Sequence, residues 1–175
     1  MCGSASGVYL DSSVLTNLLW SILMAMRKRK SAKAGSGKQA FERHHFNYGR
    51  WTKSRFSEAV TVTGPAKMIF LAGIGSEHEQ TGKIMHPGDF TAQCRYAYRK
   101  LKKVLARNGA TMADVVKQVT YVIDARHQQL AGKCRLRAYG KAPLPAHTFV
   151  NVSQLAWPAM LVEIDVIALV PQRAL

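Results

Sequence analysis

DFTAQCRYAYRKLKKVLARNGATMADVVKQVTYVID, residues 89–124, reads as a helix, a sharp stop and a strand in one continuous run. Asp89 is a good N-cap, because its short carboxylate can accept from amides that a first helical turn leaves unpartnered. Phe90, Cys94, Ala97, Leu101, Val104 and Leu105 recur at helical spacing and predict one buried stripe. Arg95, Arg99, Lys100, Lys102, Lys103 and Arg107 fall largely off that stripe. Asn108-Gly109 suits the left-handed backbone that stops a helix. Thr111 to Asp114 resembles a short capping box. From Lys117 to Asp124 the period changes to two, with Val119, Tyr121 and Ile123 on one face, which predicts a strand.

Upstream, SEAVTVT (57–63) and KMIFLAG (67–73) are strand-like runs separated by Gly64-Pro65-Ala66, so a β-hairpin is expected. A glycine-rich loop leads from there to Asp89. Residues 41–56 are aromatic and basic without clean periodicity and read as a lead-in loop. His44 and His45 are adjacent, so on a helix or strand they point in different directions, a poor geometry for a shared metal. Downstream, residues 126–139 read as a second helix with Leu130, Cys134 and Ala138 in register and Gly140 closing it. His147 to Val152 and Leu161 to Val170 are two further strands; in the second, Glu163 and Asp165 share one face and Val162, Ile164 and Val166 the other. The order ββαβαββ predicts an α+β fold, a mixed sheet with two helices on one face.

The 175 residues suffice for one ordinary domain. With 47% apolar and 20% charged residues, the chain is of globular type, which excludes general disorder and low-complexity structure. The net charge of +15 attracts anions without saying which. Cys2, Cys94 and Cys134 are far apart and form no CxxC pair, so reduced thiols in a cytoplasmic protein are expected, and no metal or other cofactor. No GxxxxGK[ST] loop and no GxSxG element is present. The basic helix face at 95–107 suits weak phosphate contact, but no RRM or KH motif is present and specific nucleic-acid recognition is not expected.

Residues 1–40 differ from the rest and are set apart from a single domain over 41–175. LDSSVLTNLLWSILMAM (10–26) is the most apolar stretch, followed by Arg27, Lys28, Arg29, Lys30 and a flexible SAKAGSGK linker. Charge follows the apolar run, the reverse of a secretory signal, and Asp11, Ser12, Ser13, Thr16, Asn17 and Ser21 interrupt it. Three readings stand: an amphipathic anchor giving membrane contact through residues 10–30, a partner-binding helix, or an extension upstream of a start at Met24 or Met26.

Four stretches carry a resemblance. They are FLAGIG (70–75), residues 89–124, LPAHTFVNVSQLAWP (144–158) and LVEIDVIAL (161–169), in order and at matching spacing. Over about residues 56–170 the chain resembles the RidA/YjgF family, also labelled endoribonuclease L-PSP. The resemblance implies a homotrimer with clefts between subunits, in which members hydrolyse reactive enamines and imines, such as 2-aminoacrylate, to a 2-keto acid and ammonia. It implies an Arg after Pro-Ala that clamps the substrate carboxylate, a Glu on the last strand that positions water, and backbone groups beside a Ser-Gly on the second strand.

Carried over residue by residue, Glu163 matches the Glu, and Pro145 and Ala146 match the Pro-Ala, but His147 stands in the Arg position. Gly73 matches the glycine, with Ala72 for the usual Ser and Ile74 for the usual Gln. Phe56 stands where an aromatic, often Tyr, is expected, and Phe149 where many members carry Cys. Glu163 and His147 are thus the candidate catalytic residues, and Phe56, Ala72, Gly73, Ile74 and Phe149 the candidate substrate-binding ones. Without the resemblance, Glu163 and Asp165 read as two solvent-facing acids, and His147 as a surface or interface histidine. Arg is always charged and two-pronged, whereas a neutral imidazole offers one donor. The exchange costs about 1–2 kcal/mol of carboxylate binding. A substrate other than 2-aminoacrylate is therefore expected, and a non-catalytic small-molecule-binding trimer is the alternative.

Overall fold

The computed structural model describes residues 40–172, and the expectations for residues 10–30 lie outside them. Strands β1 (Glu42–Phe46), β2 (Ala59–Thr63) and β3 (Ala66–Phe70) precede helix α1 (Phe90–Arg107). Strand β4 (Val115–Val122), helix α2 (Gln128–Tyr139) and strands β5 (Ala146–Asn151) and β6 (Val162–Pro171) follow. Short 3-10 turns at Met112–Asp114 and Ala125–His127 lead into β4 and α2. A four-stranded mixed sheet has the order β3-β6-β4-β5, with β4 and β5 parallel and the other pairs antiparallel. The expected α+β architecture is present.

The punctuation of residues 89–124 forms as its residue types require. The Asp89 carboxylate accepts from Ala92 N at 2.9 Å. Gly109 takes φ +77. Thr111 and Asp114 close a reciprocal capping box. Phe90, Cys94, Ala97, Leu101 and Leu105 are buried against the sheet together with Val162, Ile164, Val166 and Ala168 of β6.

Four expectations are corrected. Residues 41–56 are not simply a lead-in loop: Glu42–Phe46 is a strand, paired antiparallel with β2. It lacks apolar periodicity because its inward side chains, Arg43 and His45, are polar. Arg43 donates to the carbonyls of Ala113 and Leu169, and His45 Nδ1 lies 3.0 Å from Ser57 Oγ. The hairpin is also replaced. β2 pairs with β1, and β3 pairs along its whole length with β6. Pro65 has no N–H to contribute to a ladder, and β6 offers β3 five consecutive partners.

The most buried face of α2 is not that of Leu130, Cys134 and Ala138, of which Cys134 and Ala138 are only partly buried against the core. Its buried residues are Ala131, Arg135 and Tyr139, while Leu130 is exposed. Buried polar groups with partners decide this: Tyr139 Oη donates to Gln118 Oε1 at 2.8 Å and Arg135 Nη2 to the Arg55 carbonyl at 2.7 Å. Finally, Cys94 and Cys134 are not separate thiols. Their Sγ atoms are bonded, with Cα atoms 6.5 Å apart, and join α1 to α2.

The sheet has two unlike faces. Val115, Gln118, Thr120 and Val122 of β4 are buried on the helix side. Val119 and Tyr121 share the opposite face, next to Asp165 and Glu163 of β6. Met68 and Phe70 of β3 are also exposed. Among the described residues no helix is long and apolar enough to cross a membrane.

Candidate functional site

Five of the seven candidate residues line two separate cavities, Phe56, His147 and Phe149 the one, Gly73 and Glu163 the other. His147 and Phe149 pair in register with Gln118 and Thr120, which face the helices. Glu163 pairs with Tyr121 on the opposite face. One chain therefore carries two half-sites, divided by β4.

The first half-site is a cavity of about 650 Å³ between β5 and α2, lined by Trp51, Phe56, Thr120, Arg135, His147 and Phe149 among others. Phe56 lies tilted against His147 with ring centroids 6.3 Å apart, and the Trp51 ring meets Phe56 edge-on at 5.7 Å. His147 Nε2 is 3.0 Å from Thr120 Oγ1. Gln118 Nε2 donates to that same oxygen at 2.8 Å and to Tyr98 Oη at 2.9 Å. With Tyr139 donating to Gln118 Oε1, a chain of hydrogen bonds runs from the core to the imidazole. With Gln118 donating to it, the Thr120 hydroxyl has a proton to offer Nε2 when the ring proton is on Nδ1.

Burial is the main reason that the His147 pKa is lowered to about 3, with Arg135 and Lys117 repelling the imidazolium further. At neutral pH His147 is an uncharged hydrogen-bonding group and not a reservoir of acid. Titration followed by ring nitrogen NMR is expected to leave it neutral down to about pH 5. The folded pKa lies below the unfolded value, so the unfolded chain takes up the proton first. Its contribution to stability is present above about pH 6.5 and is lost as pH falls toward the folded value of about 3. An imidazole signal that titrates near its ordinary value would contradict this burial.

The second half-site is a cavity of about 310 Å³ lined by Gly73, Tyr121, Gln154, Leu155, Glu163 and Asp165, among others. The Glu163 side chain lies over Gly73: a Cβ built there would overlap the carboxylate and meet Cγ at 2.9 Å. A side chain at 73 is thus incompatible with the Glu163 carboxylate keeping its place. The chain is held there by the antiparallel bridge of Ile74 to Ile164, with Ile74 N donating to Ile164 O at 2.9 Å. The Ile74 side chain is buried in the core, while Ala72 and Gly73 are exposed. Burial first, then the negative charges of Glu77 and Asp165, raises the Glu163 pKa above the ordinary carboxyl value. Glu77 itself is paired with Lys100 at 2.7 Å.

Trp51, Thr120 and Arg135 were not singled out by the sequence reading. A signal existed: Gln118 and Thr120 are polar at alternate strand positions, and Arg135 stands four residues from both Ala131 and Tyr139. Polar residues at helix-facing positions mark a built hydrogen-bonded network.

The model of a family described as Endoribonuclease L-PSP matches residues 51–170. A RutC family protein of Pyrococcus abyssi is 30% identical over 113 residues, covering 65% of this chain and 84% of its own. The crystal structure of a conserved Rid family protein of unknown function from Yersinia pestis superposes with a TM-score of 0.64 at 31% identity, covering 73% of this chain and 98% of that one. A YjgF/YER057c/UK114 family member of Mycobacterium tuberculosis is 32% identical, with a TM-score of 0.50 over 74% of this chain and 100% of its own.

Proposed function

The chain belongs to the endoribonuclease L-PSP family, which its Rid and YjgF relatives share, and on that premise we propose a hydrolase of reactive imines and enamines. It releases ammonia and a carbonyl product in a cleft between subunits of a homotrimer. The observation that carries the reading is the Glu163 carboxylate, half-buried beside the exposed backbone of Gly73. The division of the candidate residues between two sheet faces supports the oligomer, since only a second copy could set Glu163 opposite His147. So do the exposed Met68 and Phe70 on the face without helices.

In this reading water attacks the imine carbon and forms a carbon–oxygen bond, while Glu163 accepts the proton that the water loses. Glu163 passes that proton to the nitrogen to give a carbinolamine, whose hydroxyl then yields its own proton through Glu163 to the nitrogen as the carbon–nitrogen bond breaks and ammonia leaves behind a carbonyl. A raised carboxyl pKa makes Glu163 a stronger base than an exposed glutamate, closer to the value a general base needs near neutrality. His147, neutral and held by Thr120, binds the substrate and does not deliver a proton from an imidazolium. Lacking an Arg at 147, the site is not shaped for 2-aminoacrylate in the archetypal way.

The test is ammonia and carbonyl release from a panel of amino-acid-derived imines, generated in place by an amino-acid oxidase. Acceleration over the uncatalysed rate for at least one imine is the expected result. A folded protein that accelerates none of them overturns the enzymatic reading and favours the binding trimer, which the uncharged His147 also suits.

A further inference from the structure

Arg135 is a cation in an unusual position. It is 6% exposed, and it lines the same cavity as His147, Phe56 and Phe149. Its Nη2 donates to the Arg55 carbonyl at 2.7 Å, while Nη1 is buried with no partner among the described residues. None of the ion pairs among the described residues includes it. A buried charge without a counter-ion costs several kcal/mol, so a fold that keeps one without an acid beside it has left room for an anion from outside.

We propose that Arg135 of α2 supplies the guanidinium that position 147 lacks, and that the cavity takes a carboxylate-bearing ligand whose anionic group lies against Arg135. The planar fork of Arg, with one arm held by the Arg55 carbonyl, leaves donors for a carboxylate oxygen. The other walls set the rest of the ligand. Trp51, Phe56, Phe149 and Leu136 are apolar, and about 650 Å³ is ample for a small molecule larger than 2-aminoacrylate. The ligand class is therefore an imine, or its 2-keto acid product, with a carboxylate and a bulky apolar or aromatic group. His147, uncharged, borders the carboxylate and contributes one hydrogen bond. The naming of imines rests on the function proposed above; the carboxylate subsite does not.

Equilibrium binding separates the two. The full chain is titrated with phenylpyruvate and with its methyl ester, followed by calorimetry. The acid is expected to bind about 10- to 100-fold more tightly than the ester, the range for a hydrogen bond to a charged partner. Arg135→Met abolishes that preference and Arg135→Lys keeps part of it, because charge without the fork is a weaker clamp. Arg135→Met combined with His147→Arg recovers it by returning the guanidinium from the other wall. Equal binding of acid and ester by the wild type, or no binding of either, overturns the proposal, and that comparison needs no variant to fold. Preference retained in a folded Arg135→Met also overturns it. A clear acid preference without ammonia release from any imine removes the deaminase reading and leaves the Arg135 subsite standing.

Discussion

Glu163→Gln is expected to lower imine turnover by about 10²- to 10⁴-fold, the usual contribution of a positioned proton acceptor. The amide has nearly the same shape, so it can still lie over Gly73, but it cannot take a proton from water. The anionic group of the substrate is held by Arg135 and not by Glu163, so the loss should fall on turnover more than on binding. A variant that keeps wild-type turnover would remove Glu163 from the chemistry.

Gly73→Ala tests the same geometry from the backbone side. The added methyl overlaps the Glu163 side chain, whose free end can swing away. The variant should therefore fold with nearly the wild-type melting temperature and lose much of the same turnover, because the carboxylate is displaced from its seat. A large fall in stability instead would mean that the crowding is relieved by the sheet and not by Glu163.

Reduction of Cys94–Cys134, or Cys134→Ser, is expected to cost about 3–4 kcal/mol, because the bond closes a loop with a sequence separation of 40 residues in the unfolded chain. For a domain of this size that is roughly a 10 °C fall in melting temperature. The comparison is thermal unfolding with and without a thiol reductant, alongside a count of free thiols in the denatured protein. Identical melting in both conditions would show that the two sulfurs do not hold α1 and α2 together. The expectation of reduced thiols came from spacing. Without a CxxC pair, nothing in a linear reading brings residues 94 and 134 together; only the side-by-side placement of α1 and α2 does so.

The same distinction runs through the rest of the molecule. Wherever one local rule governs, the residues alone suffice: Asp89 caps α1, Gly109 ends it, and the apolar stripe of Phe90, Cys94, Ala97, Leu101 and Leu105 is buried. The alternation in β6 likewise separates Glu163 and Asp165 from Val162, Ile164 and Val166. The family resemblance, too, was readable in order and spacing.

Local reading failed where polar side chains face inward. In β1, Arg43 and His45 hide a strand because their partners, the carbonyls of Ala113, Leu169 and Leu144, lie far along the chain. In α2, Arg135 occupies the most buried face, which a hydrophobic pattern assigned to Leu130, Cys134 and Ala138. Hydropathy prices a polar group as if it met only apolar surroundings, and a distant partner reverses that price.

By itself, then, the sequence determined the helices and most of the strands, the family, and the candidate residues Glu163, Gly73 and His147. Tertiary structure decided which wall of which cavity each occupies. It divided Glu163 from His147 across the sheet, paired the two cysteines, and placed the uncompensated Arg135 beside the histidine. The physical reason is the range of the forces involved. Caps, turns and amphipathic stripes are settled within a few residues, whereas burial of a charge and the hydrogen bonds that permit it depend on groups that only the fold brings together.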